Sequence, residues 1–503
     1  MYISTRDNHP PVTASGAIYL GMVPAGGLFV PETVPKVSPD QLRAWRELPY
    51  PALAAAILRL FLDDYTEDEI KACADAAYGS NFFHGDIAPL TWLDGLGGFL
   101  ELWHGPTAAF KDMALQLTPR LLERAMVKVG GGKTLLILVA TSGDTGKAAL
   151  EGFKNVPGIK ILCFYPDQGV SKAQELQMTT TDGENTFVVA VEGNFDDCQN
   201  GVKAIFGDEA FNQALAGQNI QMSSANSINW GRLCPQIVYY FHAYFQLLRA
   251  GRLTLGQPFH AVVPTGNFGN ILSAWYAREM GLPIGKLICA SNANRVLTDF
   301  FAEGIYDRRR DFYKTASPSM DILISSNLER FLFEISGHDA GTLIGCMRDL
   351  GEKGRFAAAK GWLERIRELL WAGSADDREA AGVIQEVFAR HHYTLDTHTS
   401  VAAAVYGRYR RETGDDTPAV IDATASPFKF AGSVLAALGQ ETKGLDELGA
   451  VAALSLYSGQ PIHPALAGLE KRPVRHRRRA AVSEMREIVA AVAAGTFPRP
   501  ASS

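Results

Sequence analysis

Between about residue 130 and residue 295 the chain alternates short apolar runs with longer amphipathic segments, and nothing else in it constrains the fold so strongly. Thr134-Leu135-Leu136-Ile137-Leu138-Val139-Ala140 reads as a strand, as do the runs from Ile159 to Tyr165, Thr186 to Val191, His260 to Val263 and Leu287 to Ser291. These runs lack the polar alternation of a half-exposed strand, so both of their faces should be covered. Each is followed by Gly, Asn, Asp or Ser, as a turn into a helix requires. Repeated βα units of this kind build open, mainly parallel sheets flanked by helices, an α/β fold. The pattern returns at Thr417 to Ala423.

The flanking segments read differently. Residues 1–95 carry Gly26-Gly27-Leu28-Phe29-Val30-Pro31 as a turn and short extended piece, then helices rich in Ala and Leu, and are expected to form a smaller amino-terminal domain. Residues 301–380 are charged and helical in period, including Arg308-Arg309-Arg310 and the stretch from Trp362 to Trp371, and are expected to be a helical insertion. That leaves 96–300 and 381–470 as the α/β core in two sub-domains, and 471–503 as a carboxy-terminal helix and a frayed tail from Phe497 to Ser503. The basic run from Lys471 to Arg479 invites a nucleic-acid reading, but it lacks interleaved aromatics and leads into an amphipathic helix over Ala480 to Ala494. A solvated connection is expected there.

Composition bounds the partners. The 503 residues are 47% hydrophobic and 20% charged, with no apolar run of the roughly 18 residues a bilayer crossing needs, so no membrane partner is expected. With 48 basic against 54 acidic side chains there is no general pull on nucleic acid, and any anion must be gripped locally. The six cysteines form no CxxC pair and the histidines no HExxH pattern, so neither a metal site nor a disulfide framework is expected. The first residues lack a secretory pattern, which fits a reducing cytoplasm.

Three segments carry chemistry. In Gly105-Pro106-Thr107-Ala108-Ala109-Phe110-Lys111-Asp112 a lysine stands among small and apolar residues. Such a lysine either snorkels to solvent or, kept from water, favours the amine that condenses with an aldehyde. Pro264-Thr265-Gly266-Asn267-Phe268-Gly269-Asn270 follows an apolar strand and opens a helix over Ile271 to Met280. Its glycines let the backbone approach an anion lying on the helix N-terminus, although an ordinary βα turn can carry the same spacing. Thr141-Ser142-Gly143-Asp144-Thr145-Gly146 sits the same way after another strand, offering donors to a second anionic group or simply capping its helix. Asp144 is out of character in an anion loop and either accepts from a substrate ammonium or caps the helix. Gly130-Gly131-Gly132-Lys133-Thr134 is no nucleotide loop, because Val127 stands where a P-loop glycine belongs and the segment precedes its strand. No GxSxG elbow is present, and His104 reads as structural.

A GPTxAFKD lysine segment, an SGDTG loop and a GNFGN loop, in that order, resemble the fold type II pyridoxal-phosphate enzymes, whose architecture is that of tryptophan synthase β. More narrowly they resemble the threonine synthases of fungi and Gram-negative bacteria. The resemblance spans nearly the whole chain, with Tyr2-Ile3-Ser4-Thr5-Arg6 and the Gly26 to Pro31 segment in front, Asn226-Ser227-Ile228-Asn229-Trp230-Gly231-Arg232 in the middle and Ala423-Thr424-Ala425-Ser426-Pro427 near the end. It implies that Lys111 forms a Schiff base with pyridoxal 5′-phosphate and later moves protons. It implies further that Gly266, Asn267, Phe268, Gly269 and Asn270 hold the cofactor phosphate and that Thr424 offers its hydroxyl to the pyridine nitrogen. Ser142, Gly143, Asp144, Thr145, Ser227 and Asn229 are the candidates for gripping substrate, either loop taking carboxylate or phosphate.

The reaction implied takes O-phospho-L-homoserine and water to L-threonine and phosphate. Three positions depart from the family pattern: Ser426 where a histidine is usual before Pro427, Asp7 after the Ser-Thr-Arg segment, and Thr397 in place of proline. Two other readings compete, a serine or threonine dehydratase of the same fold type and a threonine-synthase-like protein that binds ligand without turnover. The sequence leaves the choice of monomer or dimer open.

Overall fold

The computed structural model describes residues 1–141, 143–168 and 170–498, so of the tail expected to fray, residues 499–503 lie outside the described residues. At the front, β1 (Tyr2–Ser4) pairs antiparallel with β2 (Phe29–Pro31), and β3 (Leu90–Leu93) with β4 (Gly97–Glu101). The alternating region supplies β5 (Thr134–Ala140), β6 (Ile159–Pro166), β7 (Thr186–Glu192), β8 (Ile220–Ser224), β9 (Phe259–Pro264) and β10 (Ile284–Ser291). A small antiparallel ribbon joins β11 (Ile305–Asp307) to β12 (Arg355–Ala357), and β13 (Leu370–Ser374), β14 (Ala419–Ala423) and β15 (Arg478–Ala481) complete the set.

Two sheets organise the molecule. One is wholly parallel, in the order β15-β7-β6-β5-β8; the other runs β13-β10-β9-β14-β4-β3 and is parallel except at β3. Their inner strands are buried on both faces, as the unbroken apolar runs require: every residue of β9 and all but one of β6 are buried. Residues 301–380 carry the helices Leu328–Ile335, Ala340–Lys353 and Trp362–Leu369, and they also add β13 to an edge of the second sheet. The basic run departs from expectation. Arg478 and Arg479 belong to edge strand β15, paired with Val189 and Ala190 of β7, while Ala480 packs beneath. Main-chain pairing does not need apolar side chains, and exposed charge on an edge strand discourages a further strand from adding.

The long helix Trp230–Arg249 runs through the core with most of its residues buried. Pro235 inside it cannot donate to the Gly231 carbonyl, and the Thr118 hydroxyl takes that place at 2.6 Å, sharing its proton with the Ala114 carbonyl at 2.8 Å. At the carboxyl ends of β4, β5, β9 and β14 the chain passes into four loops, and in open α/β sheets ligands gather there.

Candidate functional site

Lys111 is placed by a segment that is sewn down on both sides. Residues 102–111 leave β4 beside the segment leaving β14, tied by Leu102 N–H to Ala423 O, Phe110 N–H to Thr424 O (2.8 Å) and Ser426 N–H to Ala108 O. The Thr107 N–H and hydroxyl donate to Asp112 at 2.8 and 2.7 Å, and a Cβ on Gly105 would sit 2.6 Å from Asp112, so the Gly-Pro-Thr turn closes only around glycine. Lys111 opens the helix Lys111–Leu115 with its side chain 12% exposed, Nζ 3.2 Å from Ser319 Oγ and 3.9 Å from an Asp144 oxygen. Burial draws its pKa down, Asp144 opposes this, and the Lys429 and Arg232 cations add to it. The result is a largely desolvated amine, the form that attacks a carbonyl.

Gly266, Asn267, Phe268, Gly269 and Asn270 lie together across from this amine's partner Ser319. A Cβ on Gly266 would meet the Ser319 carbonyl oxygen at 2.7 Å, so the loop and the short turn Pro318–Met320 are in close contact. Phe268 takes a left-handed conformation (φ 63°), and the helix Gly269–Glu279 begins without a side-chain cap. Among the described residues, none of the N–H groups from Gly266 to Asn270 has a hydrogen-bond acceptor. Uncapped N–H groups at a helix start in this arrangement make a cradle for an anion.

Asn270 has a second attachment. Its side-chain oxygen accepts from the hydroxyls of Tyr239 (2.5 Å) and Tyr240 (2.6 Å), and Tyr240 also lies 2.7 Å from Asp422 on β14. Burial pushes the Asp422 carboxyl up to about 7. Tyr240 has one proton for two neighbours, so its hydroxyl donates to Asp422 when that carboxyl is ionised and to Asn270 when Asp422 carries a proton.

The second loop resolves the position of Asp144. Gly143 adopts φ 147° where a Cβ would overlap Gln174, and the Thr141 hydroxyl accepts from the N–H groups of Gly143 and Gly146. Asp144 pairs at 2.7 Å with Lys429, which also donates to Thr107 O and is only 2% exposed. Despite burial, Lys429 and then Lys111 hold the Asp144 carboxyl well below the usual range. Thr145 follows in the helix Asp144–Phe153, whereas Ser142 lies outside the described residues.

Thr424 is buried with its carbonyl bonded to Phe110. Ser227 and Asn229 sit just before the helix Trp230–Arg249. Ser227 O accepts from Asn327, while Asn229 caps that helix through the Gly231 N–H and donates to Ile18 O, so its amide already has partners at both ends. His104 bonds Glu101 at 2.7 Å and stacks on Trp103.

Sequence reasoning overlooked Lys429, Ser319, His398 and Arg232. Ser319 N–H donates to His398 Nε2 at 3.1 Å, which leaves the Nδ1 proton to donate to Asp396 at 3.0 Å. No local pattern announces any of these residues. Lys429 and Arg232 do, however, stand inside or beside segments already singled out, and a lone cation among apolar neighbours was the available signal.

The chain matches known proteins along most of its length. The family profile described as "Threonine synthase N terminus" matches residues 1–78 and that described as "Threonine synthase, C-terminal" matches residues 399–489. The threonine synthase of Pseudomonas aeruginosa is 39% identical over 433 residues, covering 85% of this chain and 88% of that protein. Threonine synthase-like 1 of Homo sapiens is 38% identical over 92% of this chain, which spans 64% of that longer protein. Among solved structures, the pyridoxal-phosphate-bound threonine synthase from Brucella melitensis aligns with a TM-score of 0.87 at 36% identity, covering 99% of each chain.

Proposed function

The chain belongs to the threonine synthase family, and from that premise we propose that it converts O-phospho-L-homoserine and water to L-threonine and phosphate. Like that family it is a pyridoxal-phosphate-dependent lyase of threonine biosynthesis. The cofactor fits the residues present: a desolvated amine for its aldehyde, an unpartnered N–H cradle for its phosphate and a buried hydroxyl on Thr424 for its ring. When bound it supplies an aldehyde for amines to condense with and an electron sink for charge developing at carbon.

Each residue then has a task. Lys111 would hold the cofactor by its aldehyde, and its free amine would take and return protons at the substrate's Cα, Cβ and Cγ, for which it must stay within hydrogen-bond reach. Ser319 receives the Lys111 amine at 3.2 Å and keeps it from swinging away. Gly266, Asn267, Phe268, Gly269 and Asn270 hold the cofactor phosphate, and Asn270, tethered through Tyr240 to Asp422, fixes where that helix begins. Thr424 would offer the pyridine nitrogen of the bound cofactor a hydroxyl, which does not enforce protonation there as a carboxylate would. Ser142, Gly143, Thr145 and Ser227 grip substrate, Asp144 orients Lys429 among them, and Asn229 sets the entry to the helix behind.

The segments 1–95, 96–300 with 381–470, 301–380 and 471–503 serve as the working units, in the cytoplasm, as a monomer or dimer. No helix among the described residues is long and apolar enough to cross a membrane. The observation that carries the reading is the largely buried Lys111 amine at the carboxyl ends of the parallel strands of two sheets, beside an uncapped glycine loop. Incubation with phosphohomoserine should release threonine and phosphate in equal amounts. An oxo acid and ammonia would instead indicate a dehydratase. Lys111→Ala should lose the borohydride-trapped absorbance of the bound cofactor and about 10³-fold or more in rate; unchanged absorbance in that variant would overturn the assignment of Lys111.

A further inference from the structure

A cavity of about 670 Å³ opens between the start of the helix Tyr50–Arg59 and the end of the helix Trp230–Arg249, and it shares no residue with the site around Lys111. Its volume is that of an ordinary small-molecule pocket. Two residues of its wall carry polar atoms that the protein leaves unused. Tyr50 is 2% exposed and its hydroxyl has no hydrogen-bond partner, and His242 is 3% exposed with neither ring nitrogen in hydrogen-bond geometry with any group. The two rings meet edge to face at 5.0 Å, so these free groups are neighbours. Other buried side chains of the same kinds are fully occupied. The hydroxyls of Tyr2, Tyr65, Tyr78 and Tyr306 donate to main-chain carbonyls, and both ring nitrogens of His260 and of His398 are engaged. Burial, reinforced by the Arg249 cation and opposed by the Asp86 main chain, draws the His242 pKa down to about 3. The ring is therefore neutral, with one N–H to donate and one nitrogen to accept. Buried polar groups without partners are unfavourable, and their clustering on one cavity wall calls for a ligand that supplies the partners.

Charge around the mouth narrows the ligand. Arg249 is exposed, donates to the Arg46 carbonyl and pairs with no carboxylate among the described residues, while Asp86 is exposed and pairs with no cation among them. Both line the cavity without pairing with each other, which gives it a cationic and an anionic pole. Glu47, the other acid of the rim, is held by Arg46 at 3.3 Å. The helix Tyr50–Arg59 starts at the cavity without a side-chain cap, adding positive potential there. Leu48, Phe82 and Ile87 contribute apolar surface. We propose that this cavity is a second ligand site, separate from the catalytic one, and that it takes an α-amino acid with an apolar side chain. The carboxylate receives Arg249 and the Tyr50 hydroxyl, the ammonium donates to Asp86 and to the unprotonated nitrogen of His242, and the side chain lies on Phe82 and Ile87. A simple anion would satisfy Arg249 but leave Asp86 facing like charge, whereas a zwitterion matches both poles.

The test uses the cofactor-loaded enzyme after borohydride reduction, so that Lys111 is occupied and an amine cannot be captured there. L-Leucine and L-phenylalanine are the probes, read by calorimetry, and each should bind once per chain. Isocaproate, which is leucine without its amine, and isoamylamine, which is leucine without its carboxylate, should bind at least about 10-fold more weakly. Arg249→Gln, Asp86→Asn and Tyr50→Phe should each weaken leucine binding by about 10-fold. Tyr50→Phe removes a hydroxyl that has no partner, so its thermal midpoint without ligand should not fall below that of wild type. A lower midpoint with unchanged leucine binding would give that hydroxyl to the fold and overturn the site. No binding of either amino acid at about 10 mM, or binding equal to wild type in all three variants, would overturn it as well. Isocaproate binding as tightly as leucine would overturn the assignment to an amino acid.

Discussion

A carboxylate in a loop built for anions makes sense only with its cation beside it, and Asp144 acquires one from a distant segment: Lys429, from the turn after β14. Neither residue's sequence context announces the other, because the pairing depends on two sheets meeting. Lys111 and the Gly266 to Asn270 loop were legible earlier because their chemistry is local: a lysine stripped of polar neighbours, glycines at a strand's end. Asp422 belongs with the hidden class. Nothing in Ala419-Val420-Ile421-Asp422-Ala423 distinguishes a strand-end carboxylate from one buried against Tyr240. Burial raises its pKa from 3.8 to about 7, so the stability tied to its proton is fully present below pH 3.8 and is lost as pH rises through about 7. Asp422→Asn needs no proton. Relative to wild type it should therefore gain roughly 3 kcal/mol between pH 4.5 and pH 7.5, read as a rising difference in unfolding midpoints; a difference independent of pH would mean that Asp422 is ionised throughout.

The strands of the alternating region were readable because burial on both faces leaves unbroken apolar runs, and β5, β6, β7, β9 and β10 lie where those runs lie. Strand β15 was not, because four residues containing two arginines carry no hydrophobic period. Helix Trp230–Arg249 shows a related limit: Pro235 reads as a breaker, yet the helix continues since Thr118 from another element supplies the missing donor. Removing that donor should be costly. Thr118→Val, matched in shape, leaves the buried Gly231 carbonyl without its side-chain partner and should destabilise the protein by about 1–3 kcal/mol, measurable as a lower thermal midpoint. Ser426, standing where the family pattern has a histidine, is fully buried with its hydroxyl unpartnered, and its N–H holds Ala108 in the lysine segment.

For the molecule as a whole, the Asp144–Lys429 pair links the loop after the five-stranded sheet to the turn after the six-stranded one. Asp144→Asn, which strands Lys429 in the interior, should cost about 3–5 kcal/mol, while the double variant Asp144→Leu with Lys429→Met should recover most of it. Full recovery of activity in the double variant would remove the pair from the site. The strand order also sets a schedule for synthesis. Strand β7 waits for β15, about 290 residues later, and β4 waits for β14. At 5–20 residues per second the ribosome leaves the rim of β7 bare for roughly 15–60 s, open to stray strands and to chaperones alike. The arginines of β15 then close that rim, so a strand about 290 residues downstream guards the third strand made of the same sheet.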